Sequence, residues 1–118
     1  NTYISLGLEK INHFPFGFKK NISYLFCVSK YPTLLDDPDL KNMPSKFKKN
    51  GFFGYSDHTL GMAAGIAAYM RGSNVLEKHF TNSKTFQKNN EKGHLCSFDP
   101  NELRVFKNII NELKILGR

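Results

Sequence analysis

At 118 residues, 40% of them apolar and none of them tryptophan, the chain is long enough for one globular domain, but well short of the ~250 residues typical of a closed eight-stranded α/β barrel. That composition is that of a soluble globular protein rather than a disordered chain, no apolar run is long enough to span a bilayer, and the N-terminus lacks a signal-peptide pattern. The formal charge of +7 invites a nucleic-acid partner, but Lys19 and Lys20, Lys46, Lys48 and Lys49, and Lys84, Lys88 and Lys92 are scattered over turns and one loop, as on a solvated surface.

In chain order, Tyr3 to Leu6 reads as a strand closed by Gly7, and Pro15 and Gly17 break the segment after it into an irregular link. Ser23 to Ser29 is a continuous apolar strand that ends in the polar cluster Ser29, Lys30 and Tyr31 before Pro32. Asp37 and Pro38 open a weak helix whose apolar positions are Leu40, Met43 and Phe47, with Pro44 interrupting it. Gly51 to Tyr55 is the next strand, and it runs into Ser56, Asp57 and His58. From Leu60 to Arg71 small and apolar residues recur at helical steps, until Gly72 stops them. Val75 and Leu76 form a further strand running into Glu77, Lys78 and His79. A long polar loop spans Asn82 to Cys96, and Asp99 to Glu102 then form a capping box at the head of an amphipathic helix from Leu103 to Leu116. The order predicts an α/β fold with a parallel sheet and helices outside it.

Parallel strands send their C-terminal ends to one edge, so His58 and His79 converge although about twenty positions separate them. Two imidazoles with Asp57 and Glu77 nearby suit a divalent first-row metal. At this level Ser56 can equally cap the helix that follows, Tyr31 can pack a turn, and Lys78 can be a solvated flank. His13 reads as structural. Cys27 and Cys96 lack CxxC spacing and read as reduced thiols of a cytoplasmic protein. The residues alone describe a piece of a metal-dependent α/β enzyme.

The strings CVSKYPT, GYSDHTLG and EKHFT, followed by GHLCSFDPNEL, resemble the signature blocks of the sialic acid synthase family, from Ser23 to Gly117 and more loosely from Tyr3 to Gly7. The family makes N-acetylneuraminic, legionaminic and pseudaminic acids on a (β/α)8 TIM barrel, usually followed by a small antifreeze-like domain. The resemblance implies that residues 1–118 are the C-terminal half of such a barrel, about strands five to eight, with the antifreeze-like domain absent. It implies condensation of phosphoenolpyruvate with an N-acetylated amino sugar such as N-acetylmannosamine, with loss of phosphate. His58 and His79 match the family's metal ligands, for Mn2+ or Mg2+. Ser29, Tyr31 and Ser56 match its phosphoenolpyruvate pocket, aided by the N-terminus of the helix after Thr59, and His94 matches a histidine of the sugar-side loop. Glu77 and Asp57 match acidic positions to which ligand orientation or proton handling falls. The chain departs from the blocks at Gly93 and Ser83, where the family carries aspartates. A half barrel implies a need for the missing half or a homo-oligomer, and a fragment inactive alone. The alternatives are a non-catalytic remnant, a split-barrel subunit, or a two-histidine metal hydrolase.

Overall fold

Short β-branched and aromatic runs bounded by turn residues set the framework, because each must satisfy its backbone in a sheet while burying one face. In the computed structural model, which describes residues 1–8, 13–85 and 95–117, four such runs are strands: β1 (Thr2–Ser5), β2 (Ile22–Cys27), β3 (Gly54–Asp57) and β4 (Val75–Lys78). They form one sheet in the order β1-β2-β3-β4, parallel throughout. Each strand is added on the same side as the last, which is the winding of a barrel wall rather than of a sheet whose strand order reverses. Among the described residues the sheet is open, with β1 and β4 at its edges.

Alternation along the strands sorts side chains between two faces. Tyr24, Phe26 and Val28 on and just after β2, and Tyr55 on β3, join Leu40, Met43, Phe47, Phe52, Ala64 and Ala68 in the buried core under the helical layer. Their rings interlock, Phe26 meeting Phe52 edge to face at 5.8 Å and lying 5.9 Å from Tyr55. The connection between β1 and β2 is irregular in its described part, and its Phe14 and Phe18 pack on Tyr24.

Helix α1 (Ala63–Met70) is shorter than the residue pattern suggested, because Gly61 sits at φ 68° and turns the chain just before it. Its Gly65 lets it approach the sheet, since a Cβ there would lie 3.0 Å from Leu76 and 3.2 Å from Phe106. Helix α2 (Pro100–Ile115) has the expected capping box: Glu102 N–H donates to Asp99 Oδ1 at 2.8 Å and Asp99 N–H to Glu102 Oε2 at 3.0 Å. None of its residues is fully buried, and it rests on the body mainly through half-buried positions such as Phe106, which meets Phe98 at 5.4 Å.

Two expectations need correction. The weak helix after Asp37 is absent, and its place is taken by two 3-10 turns, Leu40–Asn42 and Lys48–Asn50, on either side of Pro44. Asp37 instead closes a local turn by accepting from the Asp39 N–H at 2.9 Å, and Lys30 holds its carboxylate. Secondly, β3 starts at Gly54 rather than Gly51: Gly51 turns the chain at φ 81°, and Phe52 fills the core before the ladder begins. Ser56, Asp57, Glu77 and Lys78 therefore lie inside the strands, which fixes the face each one takes.

Candidate functional site

At the C-terminal edge of the sheet, the face turned away from the helices carries polar residues in successive layers. Cys27 pairs in register with Ser56, and Ser56 with Glu77. One alternation further along stand Ser29, His58 and His79. Together with Ser5, Gly7, Leu8 and Tyr31 they line a hollow of about 390 Å³. Gly7 keeps it open, since a Cβ there would lie 2.1 Å from Ser29 Oγ and 2.8 Å from Cys27 Sγ. A larger hollow of about 750 Å³ at the other end of the strands, lined by residues such as Phe14, Phe18, Lys48 and Lys49, contains neither imidazole nor carboxylate. The chemistry belongs to the C-terminal edge.

Each histidine is held by its backbone as well as its ring. His58 is 4% exposed, and its carbonyl accepts from Thr33 N–H at 2.8 Å. Its Nδ1 lies 2.8 Å from the Val28 carbonyl, an acceptor, so Nδ1 carries the proton and donates. In the neutral ring Nε2 is then the open lone pair, the tautomer a metal or an accepting role requires. Burial pulls the His58 pKa down, but hydrogen bonding with Cys27 and Val28 and the charge of Glu77 outweigh it and leave the pKa raised. The His79 carbonyl accepts from Phe98 N–H at 2.8 Å. The two imidazoles stand edge to face with centroids 5.5 Å apart, and the Tyr31 ring lies 4.2 Å from His58 and 5.7 Å from His79. Burial first, and then the acidic groups around it, push the Tyr31 phenol up, so it keeps its proton and remains a donor at neutral pH.

Ser56 is buried and donates to Glu77 Oε2 rather than capping α1. Asp57 stands on the opposite face, where its carboxylate is fully occupied. Oδ1 accepts from Tyr55 Oη at 3.1 Å and from Thr59 N–H and Oγ1 at 2.8 Å each. Oδ2 pairs with Lys78 Nζ at 2.9 Å. Burial and the Asp57 charge push the Tyr55 phenol far up, so it stays a donor to that carboxylate.

Of the residues singled out in the sequence, Ser29, Tyr31, Ser56, His58, Glu77 and His79 therefore share one hollow, and Asp57 lies behind it. His94 falls outside the described residues, as does Gly93. The sequence reading missed Thr33, whose Oγ1 donates to the Lys30 carbonyl at 2.9 Å, with the Val28 carbonyl at 3.3 Å, and whose N–H holds His58, so that it ties the loop after β2 to the end of β3. It also missed Cys27, 3.8 Å from His58 Nδ1, and Lys78, whose side chain is 3% exposed although its edge-strand backbone is more open. The available signal for Cys27 was its even-numbered spacing from Ser29 along one strand. Cys27 and Cys96 are both buried and form no disulfide. Among the described residues no helix is long and apolar enough to cross a membrane.

The NeuB family model matches residues 10–118. The N,N'-diacetyllegionaminic acid synthase of Campylobacter jejuni is 35% identical over 99 residues, covering 81% of this chain and 28% of that protein. The N-acetylneuraminate-9-phosphate synthase of Drosophila melanogaster is 35% identical over 100 residues, covering 82% and 26%. The crystal structure of an N-acetylneuraminic acid synthetase from Leptospira borgpetersenii, in complex with citrate, superposes with a TM-score of 0.67 at 32% identity, covering 82% of this chain and 34% of that one. The chain thus spans about a quarter to a third of the length of these proteins.

Proposed function

The chain belongs to the NeuB family, and from that premise we propose that it forms the strand-end rim of a sialic-acid-type synthase. Such an enzyme joins phosphoenolpyruvate to an N-acetylated amino sugar of the N-acetylmannosamine type, giving a nonulosonic acid and phosphate. The observation that carries the reading is the gathering of hydroxyls, two imidazoles and one carboxylate on a single face at the C-terminal ends of adjacent parallel strands. That edge is where barrel enzymes hold their sites. The four strands then stand as strands five to eight of a (β/α)8 barrel, closed by strands beyond the described ones or by another chain, since an open wall leaves its inner face and edges unpartnered.

In this reading Ser29 and Tyr31 donate to the phosphate and carboxylate of phosphoenolpyruvate, and Ser56 and Glu77 act together. Ser56 has a single proton and directs it to Glu77 in the free site. When an anion arrives, Ser56 turns that proton to the substrate, and the Glu77 carboxylate, released from it in the same hollow, is assigned proton handling. His94 is assigned to the sugar side on its motif alone. Asp57, already saturated on the far face, orients the chain around His58 rather than touching substrate.

The two imidazoles fit a divalent ion, because Nδ1 protonation leaves the His58 Nε2 a lone pair and the two ring centroids stand 5.5 Å apart. Among the described residues no group of three or more His, Cys, Asp or Glu side chains stands at ligand spacing, so His58 and His79 would hold Mn2+ or Mg2+ with water and substrate oxygens completing the set. An ion there would supply Lewis-acid polarisation of the sugar's open-chain aldehyde.

The test measures phosphate release from phosphoenolpyruvate, N-acetylmannosamine and Mn2+, with the chain alone and with the chain complemented by the N-terminal barrel residues of the C. jejuni relative. Release by the complemented protein that requires both substrates and is lost in His79→Ala is the expected outcome. Release without the sugar would replace the reading with a metal-dependent hydrolase.

A further inference from the structure

We infer that Lys78 is a positioning residue: from the helix-facing side of the sheet it fixes the placement of His58 beside His79 on the opposite face. The inference rests on the two-imidazole site proposed above. Asp57 and Lys78 are the last ladder partners of β3 and β4. The residue after each is a histidine, and alternation turns both imidazoles to the other face.

Lys78 Nζ does not stop at its ladder partner. It donates to Asp57 Oδ2 at 2.9 Å and to the Thr59 carbonyl at 2.7 Å, gripping the residues on both sides of His58. Asp57 closes the same bracket from within, through Thr59 N–H and Oγ1. The bracket hangs from the residue that immediately precedes His79. Thr33 and Phe98 also hold the histidine carbonyls, but they tie each one to a different loop, whereas Lys78 ties the His58 segment to the His79 strand.

Stability gives a poor account of this arrangement. The side chains of Lys78 and Asp57 are 3% and 0% exposed, and the ammonium lies 4.9 Å from the centre of the Phe98 ring. Replacing a buried ion pair by apolar residues of similar size is often neutral or stabilising. What two charges and a carbonyl add is direction: a slip of β4 by one residue would leave a carboxylate buried without its cation, so one register, and with it one placement of the two rings, is selected.

The experiment titrates the 118-residue chain with Co2+, following heat and visible absorption, with circular dichroism to establish that each variant is folded. His58→Ala and His79→Ala report the site itself. Lys78→Met keeps the stem and removes the ammonium, and it should weaken Co2+ binding by about 10–100-fold, as removal of residues that orient ligands does. Lys78→Arg, which keeps charge and donors, should recover most of that loss. If the unpaired Asp57 unfolds Lys78→Met, the double variant Asp57→Asn with Lys78→Met removes both charges and should bind Co2+ as weakly. Wild-type Co2+ affinity in folded Lys78→Met, or in the double variant, overturns the inference while the histidine variants still lose binding. Co2+ binding unchanged in both histidine variants instead overturns the two-imidazole reading.

Discussion

The two faces of the sheet divide the labour along the same few residues. On the helix side Tyr24, Phe26 and Tyr55 are 2%, 5% and 1% exposed and meet aromatic neighbours. On the other side the intervening positions carry Cys27, Ser56, Glu77 and His79 around an open hollow. Because a strand alternates, adjacent residues belong to different problems: one is chosen for packing and the next for chemistry. The Asp57–Lys78 pair is the exception, a polar device on the packing side, and it sits directly behind the histidines.

The comparison breaks if the helix side can be emptied cheaply. Phe26→Ala should cost about 3–5 kcal/mol in urea unfolding, the usual range for a buried phenylalanine, because Phe52 and Tyr55 both lose a ring contact. A loss below about 1 kcal/mol would mean that the core does not lie on that face.

One position along from Tyr55, Ser56→Ala should behave differently. The Ser56–Glu77 hydrogen bond is replaced in part by water on an open face, so stability should fall by about 0.5–1.5 kcal/mol, while the phosphoenolpyruvate binding proposed for the complemented barrel, measured by calorimetry, should drop sharply. A variant that loses stability but keeps full affinity would move Ser56 from the chemical face to the structural one.

The smallest effect is expected outside both faces, at Lys30, which bridges Asp37 and Asp39 at the surface. The Lys30 hydrogen bonds, then the Asp39 N–H, hold the Asp37 carboxyl below its usual value. A depressed carboxyl contributes stability that is present above its unfolded pKa, about 3.9, and is lost as pH falls through the folded value. The small advantage of the wild type over Asp37→Asn at neutral pH should therefore vanish in acid, and shrink with salt because Lys30 is half exposed. An advantage that grows on acidification would reverse the assignment.

The parallel sheet, the βαβ unit from β3 to β4 and the capped α2 were legible, because apolar runs and Asp99-Pro100-Asn101-Glu102 are local signals. The site face was legible in outline, since strand ends in a parallel sheet share an edge. Strand limits were not: whether Phe52 or Gly54 opens β3 depends on which residue β2 offers as a ladder partner. The segment around Pro44 looked helical from Leu40, Met43 and Phe47, yet those side chains reach the core from the first 3-10 turn and from the residues that flank the two turns, because burial needs only their direction. Lys78 escaped notice because its partner Asp57 is distant in sequence, and a lysine beside a histidine looks like a solvated flank until register brings a carboxylate across to it.

The winding of the sheet also bears on how the chain reaches its native state. Among the described strands, each after the first hydrogen-bonds to its immediate predecessor, with register partners such as Thr2 and Ile22, Leu25 and Gly54, and Gly54 and Val75. None of these four must wait for a distant later one before it can pair with its neighbour. Loop closure costs rise only slowly with length, so each addition meets a similar entropic barrier and the wall can grow in the order in which a ribosome delivers it. Among the described strands β4 is the last made and is the one that sets His79 beside His58, so that pair of rings forms only when assembly of these four strands is finished.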